Sequence, residues 1–110
     1  MAILNTSVTS GNTTIFTSSG NNAITTMIFC NTSAYNPASP AANISLLYVY
    51  AVPSGGAAGS GTLIVNGLPV PAGETVSFDQ EKIVLANGDF IVAKTNSLSN
   101  ITATVSTLAV

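Results

Sequence analysis

The decapeptide IVLANGDFIV, Ile83 to Val92, sets Asn-Gly between two runs rich in β-branched and aromatic residues. Asn and Gly both tolerate positive φ, so the pattern predicts a two-residue type I′ hairpin pairing about residues 81–86 with 89–95. A second Asn-Gly, Asn66-Gly67 in TLIVNGLPV, repeats the device. Pro69 and Pro71 follow at once, so its second arm is expected to be short or to lie at a sheet edge. Two hairpins in one chain imply an antiparallel sheet.

The rest of the chain agrees with this reading. Pro37, Pro40, Pro53, Pro69 and Pro71 punctuate the middle, and Val, Ile, Thr, Tyr and Phe fill the intervals. No segment carries an apolar stripe at helical spacing. In NITATVSTLAV, Ile101, Ala103 and Val105 alternate with Thr102, Thr104 and Ser106, the signature of a half-buried strand. By contrast, SLLYVYAV (45–52) and MIFC (27–30) are apolar on both faces and are expected to be covered on both sides. The reading is about eight strands, near 2–8, 13–17, 23–31, 44–52, 62–65, 74–78, 82–86 with its hairpin partner, and 101–108. A chain of 110 residues fits one domain. The expected fold is therefore all-β, a single antiparallel β-sandwich of immunoglobulin-like or jelly-roll-like type over residues 1–110. An N-terminal arm and a flexible Gly-rich loop, SGGAAGSG (54–61), complete that outline.

Charge supplies the strongest functional clue. Only 5% of residues are charged although 46% are apolar, where soluble domains carry about 25% charged residues. All six formal charges (Glu74, Asp79, Glu81, Lys82, Asp89 and Lys94) fall within residues 74–94. The longest apolar run, Leu46 to Val52, is far short of the ~20 residues of a spanning helix, so no membrane partner is expected. The amino terminus lacks a basic flank and an apolar run of signal-peptide length, from which a cytoplasmic origin is expected. The Asn-x-Ser/Thr triplets at Asn5, Asn12, Asn31, Asn43 and Asn100 are read as products of composition, not as glycan acceptors.

The chemistry available is sparse. There is no His, Arg or Trp, so acid/base work would fall on four carboxylates and two lysines, and no imidazole could activate a nucleophile. The chain is not read as an enzyme, and no catalytic or cofactor-binding residue is assigned. Cys30, within MIFC, is expected to be a packed structural thiol. The loop GGAAGSG lacks the Lys-Ser/Thr of a phosphate-binding loop, and no cofactor is expected. Two lysines and a net charge of −2 disfavour nucleic acid. Asp79, Glu81, Asn87 and Asp89 could in principle offer oxygens to a hard cation, but no spaced calcium motif supports it, so no metal is assigned. Tyr48 and Tyr50 share one face of a strand, where packing in a core or subunit contact is the plain reading and a sugar platform the alternative.

A neutral exterior of Ser, Thr and Asn is one that neighbours can cover, because hydroxyls and amides can be buried when hydrogen-bonded whereas unpaired charges cannot. Residues 74–94 would then face water. Ile3, Leu4, Phe16, Tyr48 and Tyr50 are expected to include contact or core residues. At this point the C-terminal segments LPVPAGETVSF, EKIVLANGDFIVAK and NITATVSTL acquire meaning together. Their order, an AGET turn at 72–75, an apolar strand ending in Gly-Asp at 83–89, and a final Thr/Ser-alternating strand at 101–108, resembles the small β-sandwich structural proteins of tailed bacteriophage virions. The resemblance covers about the last 45 residues and concerns turns and strands more than chemistry.

It implies a non-catalytic virion component made in the host cytoplasm. Head decoration or cement proteins, often trimers seated on the major capsid protein, come first; neck, collar or tail proteins are the alternative within the class. A host-surface or glycan-binding β-sandwich module is the alternative of another class.

Overall fold

The computed structural model describes residues 2–39, 41–79, 82–96 and 100–110. Nine strands account for most of them: β1 (Ala2–Val8), β2 (Thr13–Thr17), β3 (Asn22–Asn31), β4 (Ser45–Val52), β5 (Leu63–Val70), β6 (Thr75–Phe78), β7 (Ile83–Leu85), β8 (Phe90–Thr95) and β9 (Ile101–Ala109). A 3-10 turn, Ser60–Thr62, precedes β5.

The strands form two antiparallel sheets packed face to face. Sheet I runs β1-β9-β3-β6, with β7 pairing the other half of β3; sheet II runs β2-β8-β4-β5. The pairing is nested, first strand with last (β1 with β9), second with next to last (β2 with β8), β3 with β6 and β7, and β4 with β5. A long antiparallel ribbon rolled onto itself has this order, which makes the sandwich a jelly roll and not an immunoglobulin-like one.

Between the sheets lies one core. Ile24, Met27 and Phe29 of β3 and Ile101, Ala103 and Val105 of β9 meet Leu47 and Val49 of β4 and Ile91 and Ala93 of β8. Phe29 packs edge-on against Phe78 at a centroid separation of 5.9 Å. The alternation read in β9 is therefore the true inward/outward pattern.

Both predicted hairpins are absent, and each absence has a physical reason. At Asn87-Gly88, β7 belongs to sheet I and β8 to sheet II, so the turn is a corner between sheets. Gly88 has φ +89° while Asn87 is not in the positive-φ region, the sign pattern of a type II turn; type I′ requires both residues positive. Its bonds point outward as well as inward. Asp89 N donates to Ala86 O (3.1 Å), yet Gly88 N donates to Ser18 O (2.9 Å) and Gly20 N to Asn87 Oδ1 (2.8 Å). The turn is stitched to the β2–β3 connection, which pulls the two strands apart.

Asn66-Gly67 lies inside β5 and makes a bulge. Leu47 pairs with Leu68 and Tyr48 with Asn66, leaving Gly67 (φ +72°) as the extra residue. A second irregularity, between the pairs Val49/Val65 and Tyr50/Leu63, leaves Ile64 extra. Because side chains alternate with period two, each bulge resets which face they occupy, and Val65, Leu68 and Val70 all reach the core. Of the two expectations for the Pro-bearing arm, that it is short or that it lies at a sheet edge, the second holds, since β5 ends sheet II and accommodates Pro69.

Candidate interaction surface

The two outer faces of the sandwich differ. On sheet II, Tyr50, Val52 and Val92 form a second buried cluster, with Tyr48, Leu63, Phe90 and Ala58 packed against it. Ala58 belongs to the Gly-rich segment, so this loop covers the outer side of β4 and β8. Its course is set by a turn in which Gly56 N donates to Pro53 O (2.9 Å) and Gly55 adopts φ +82°. Lys94 Nζ lies 5.3 Å from the Tyr48 ring centroid, within cation–π range. The apolar run of β4 is thus covered on both sides, by the core and by the chain's own loop. Tyr48 and Tyr50 pack and offer no open platform.

The outer face of sheet I has no such cover among the described residues. It presents Thr102, Thr104 and Ser106 from β9, Asn5 and Ser7 from β1, and Ile28 and Cys30 from β3. Thr104 Oγ1 donates to Asn5 Oδ1 (2.8 Å), and Thr25 Oγ1 to Ser106 O (3.1 Å). No strand residue described on this face is charged. Lys82 touches only its margin, donating from Nζ to the carbonyl oxygens of Thr25 and Asp79. At the end of the face where β1 begins and β9 ends, the hydroxyls give way to an apolar band. Leu108, Ala23 and Val84 stand in one row across β9, β3 and β7, with Ile3 beside them on β1. Ile3 is 69%, Val84 68% and Leu108 43% exposed. Sequence reading named Ile3 but missed Val84 and Leu108. Leu108 carried a signal, because it is the apolar residue on the otherwise hydroxylic face of β9.

Cys30 corrects an expectation. It is half-buried on this outer face, one position from the core residue Phe29, and not packed inside. MIFC is apolar on both faces, yet only Met27 and Phe29 enter the core. Ile28 and Cys30 gain partial shelter from neighbouring strands alone.

The remaining candidates take structural places. Asp89 is committed to its corner: Oδ1 accepts from Ser54 N (2.8 Å) and Oδ2 from Ala86 N (2.9 Å). Asn87 Oδ1 is occupied by Gly20 N, Asp79 follows β6, and Glu81 lies outside the described residues. Residues 74–94 were expected to face water; Glu74, Asp79 and Lys82 do, whereas Asp89 and Lys94 are half-buried. Phe16 packs against the main core, while Leu4 is 39% exposed. Tyr35, in the β3–β4 loop, is 56% exposed.

At the opposite end of the sandwich a buried amide network ties that loop down. Asn31, 1% exposed, donates from Nδ2 to Asn43 O (2.8 Å) and Val70 O (2.9 Å), and its Oδ1 accepts from Ser33 N (3.0 Å). Asn100 Nδ2 donates to Ser33 Oγ (3.0 Å) and Asn43 O (3.3 Å), while Ser45 Oγ donates to Asn100 Oδ1. Of the five Asn-x-Ser/Thr asparagines, Asn31 is sealed in the fold and Asn100 is engaged in this network.

One apolar cavity of about 460 Å³ opens where the sandwich edge is broken, lined by Met27, Ile64, Val65, Phe78 and Ile83. These five side chains bring no polar group to orient a substrate.

No family model matches the chain, and no curated protein or solved structure matches it either.

Proposed function

We propose that this chain is a non-enzymatic structural subunit of a tailed-phage virion, a decoration or cement protein that stabilises the shell through many neutral contacts. The observation that carries the reading is the outer face of sheet I, which no described segment of the chain covers and which is uncharged over its described strand residues. Such a face can be buried against a neighbour without desolvating an ion, and interface cores are depleted in charge for the same reason. Repetition over a particle would multiply a weak contact into high avidity. The jelly roll is also a fold used by viral capsid domains, though that is an analogy of fold and does not reach function by itself.

On this reading the partners are the major capsid protein or other virion proteins, together with sister copies. Nucleic acid and membrane are not among them. The test is co-sedimentation of the purified chain with capsid shells that lack it. Saturable binding that is lost when Thr104 on the sheet I face is changed to Lys is the expected outcome. Failure to bind shells removes the proposal. Copy number per particle, by gel densitometry of virions, separates the shell reading (many copies) from a neck or tail position (few).

A further inference from the structure

The two sheets present four lateral edges, and three of them carry features that block pairing with another chain. The β2 edge is five residues long and bulged between Thr14 and Phe16. On β5 the edge has two bulges and Pro69. The edge formed by β6 and β7 is broken into pieces of four and three residues. Short length, bulges and proline are the devices by which natural sheets avoid adding strands.

The fourth edge, β1, has none of them. It runs seven residues, AILNTSV, without proline, glycine or charge, and pairs with β9 in unbroken register from Ala2↔Thr107 to Val8↔Ile101. Its other side has no strand partner among the described residues. Ile3 is 69% exposed, and Asn5 and Ser7 are exposed too. A row of backbone donors and acceptors on an unbroken, neutral strand is a template for another extended chain.

We propose that β1 is a dimerisation edge, pairing antiparallel with β1 of a second copy so that two five-stranded sheets become one continuous sheet. The occupant is argued from the edges themselves. A strand must be free to join, and β1 is the described edge that is both long and unguarded, so the simplest complement to β1 is β1. Antiparallel pairing about a two-fold axis brings the strand against itself, and no like charges meet because it has none. An isologous contact of this kind closes at two copies, the commonest symmetry of soluble assemblies. The resemblance implied a homo-oligomer, in such families often a trimer; pairing at this edge closes at two copies, and the inference stands whether or not the protein belongs to a virion.

The test is sedimentation equilibrium of the full chain, whose protomer mass is 11.0 kDa. A dimer is expected for the unmodified chain. The double variant Ile3→Lys, Ser7→Lys sets like charges facing across the new pair, on side chains already exposed, and is expected to sediment as a monomer with an unchanged far-UV spectrum. Val84→Lys lies on the apolar band of the same face but on β7, away from the β1 edge, and is expected to remain a dimer. Hydrogen exchange read on β1 supplies a measure independent of mutation: its amides should be slower in the unmodified chain than in the double variant, while β2 amides stay alike. A monomeric unmodified chain, a trimer, or a dimer dissolved by Val84→Lys but indifferent to the β1 lysines overturns the proposal.

Discussion

Asn31 shows how much one amide can hold. Its two N–H groups and one oxygen join β3 to the loop carbonyl of Asn43, to the last residue of β5 and to the start of the β3–β4 loop. No buried side-chain polar atom among the described residues lacks a partner, so the network is complete. Completeness makes each member costly to remove, because the partners stay buried after the amide is gone. Asn31→Ala should lower stability by roughly 2–4 kcal/mol, read as a shift of the urea midpoint with unchanged slope. Asn31→Asp should cost more, since a carboxylate would face two carbonyl oxygens it cannot donate to. Equal losses for the two variants would show that these bonds are not what Asn31 contributes. The triplet around Asn31 was legible as a chance sequon, but its role was not, because its partners lie along the β3–β4 loop and at the distant end of β5.

At the scale of the element, β5 is the instructive strand. A strict period-two reading of LIVNGLPV groups Leu63, Val65, Gly67 and Pro69 on one face. The bulge at Gly67 instead sends Leu68 and Val70 inward. The residue must hold φ +72°, a region that costs an L-residue roughly 1–2 kcal/mol. Gly67→Val should therefore destabilise by about 2 kcal/mol or more, since β-branching adds to that strain. Gly59→Ala serves as the control: its φ is −173° and a Cβ there meets nothing within 4 Å. A thermal melt in which the two variants behave alike would contradict the bulge. Both Asn-Gly pairs were correctly legible as places where the backbone turns left-handed. Whether each closed a hairpin, turned a corner or made a bulge depended on which sheet claimed the next strand.

For the whole molecule, nesting ties the two ends of the chain together, Ala2 opposite Thr107. Most residue contacts join segments far apart in the chain, and topologies of this kind fold in milliseconds to seconds. β9 is the strand that makes sheet I continuous, sitting between β1 and β3 and contributing Ile101, Ala103 and Val105 to the core. Removing residues 101–110 should abolish the cooperative melt by circular dichroism altogether. A truncated chain that still unfolded in one sharp transition would mean that the core does not depend on closure by β9.

The sequence by itself determined the fold class, most strand positions, the edge location of the Pro-bearing arm and the neutrality of the exterior. These are local properties, written in β-propensity, alternation and composition. Tertiary structure alone decided the jelly-roll order, the corner at Asn87-Gly88, the outward place of Cys30, the loop lid over Tyr50 and the bare, uncharged face of sheet I. Each of these turns on which distant strand arrives as a neighbour, and hydrogen bonding between strands is indifferent to how far apart they lie in the chain.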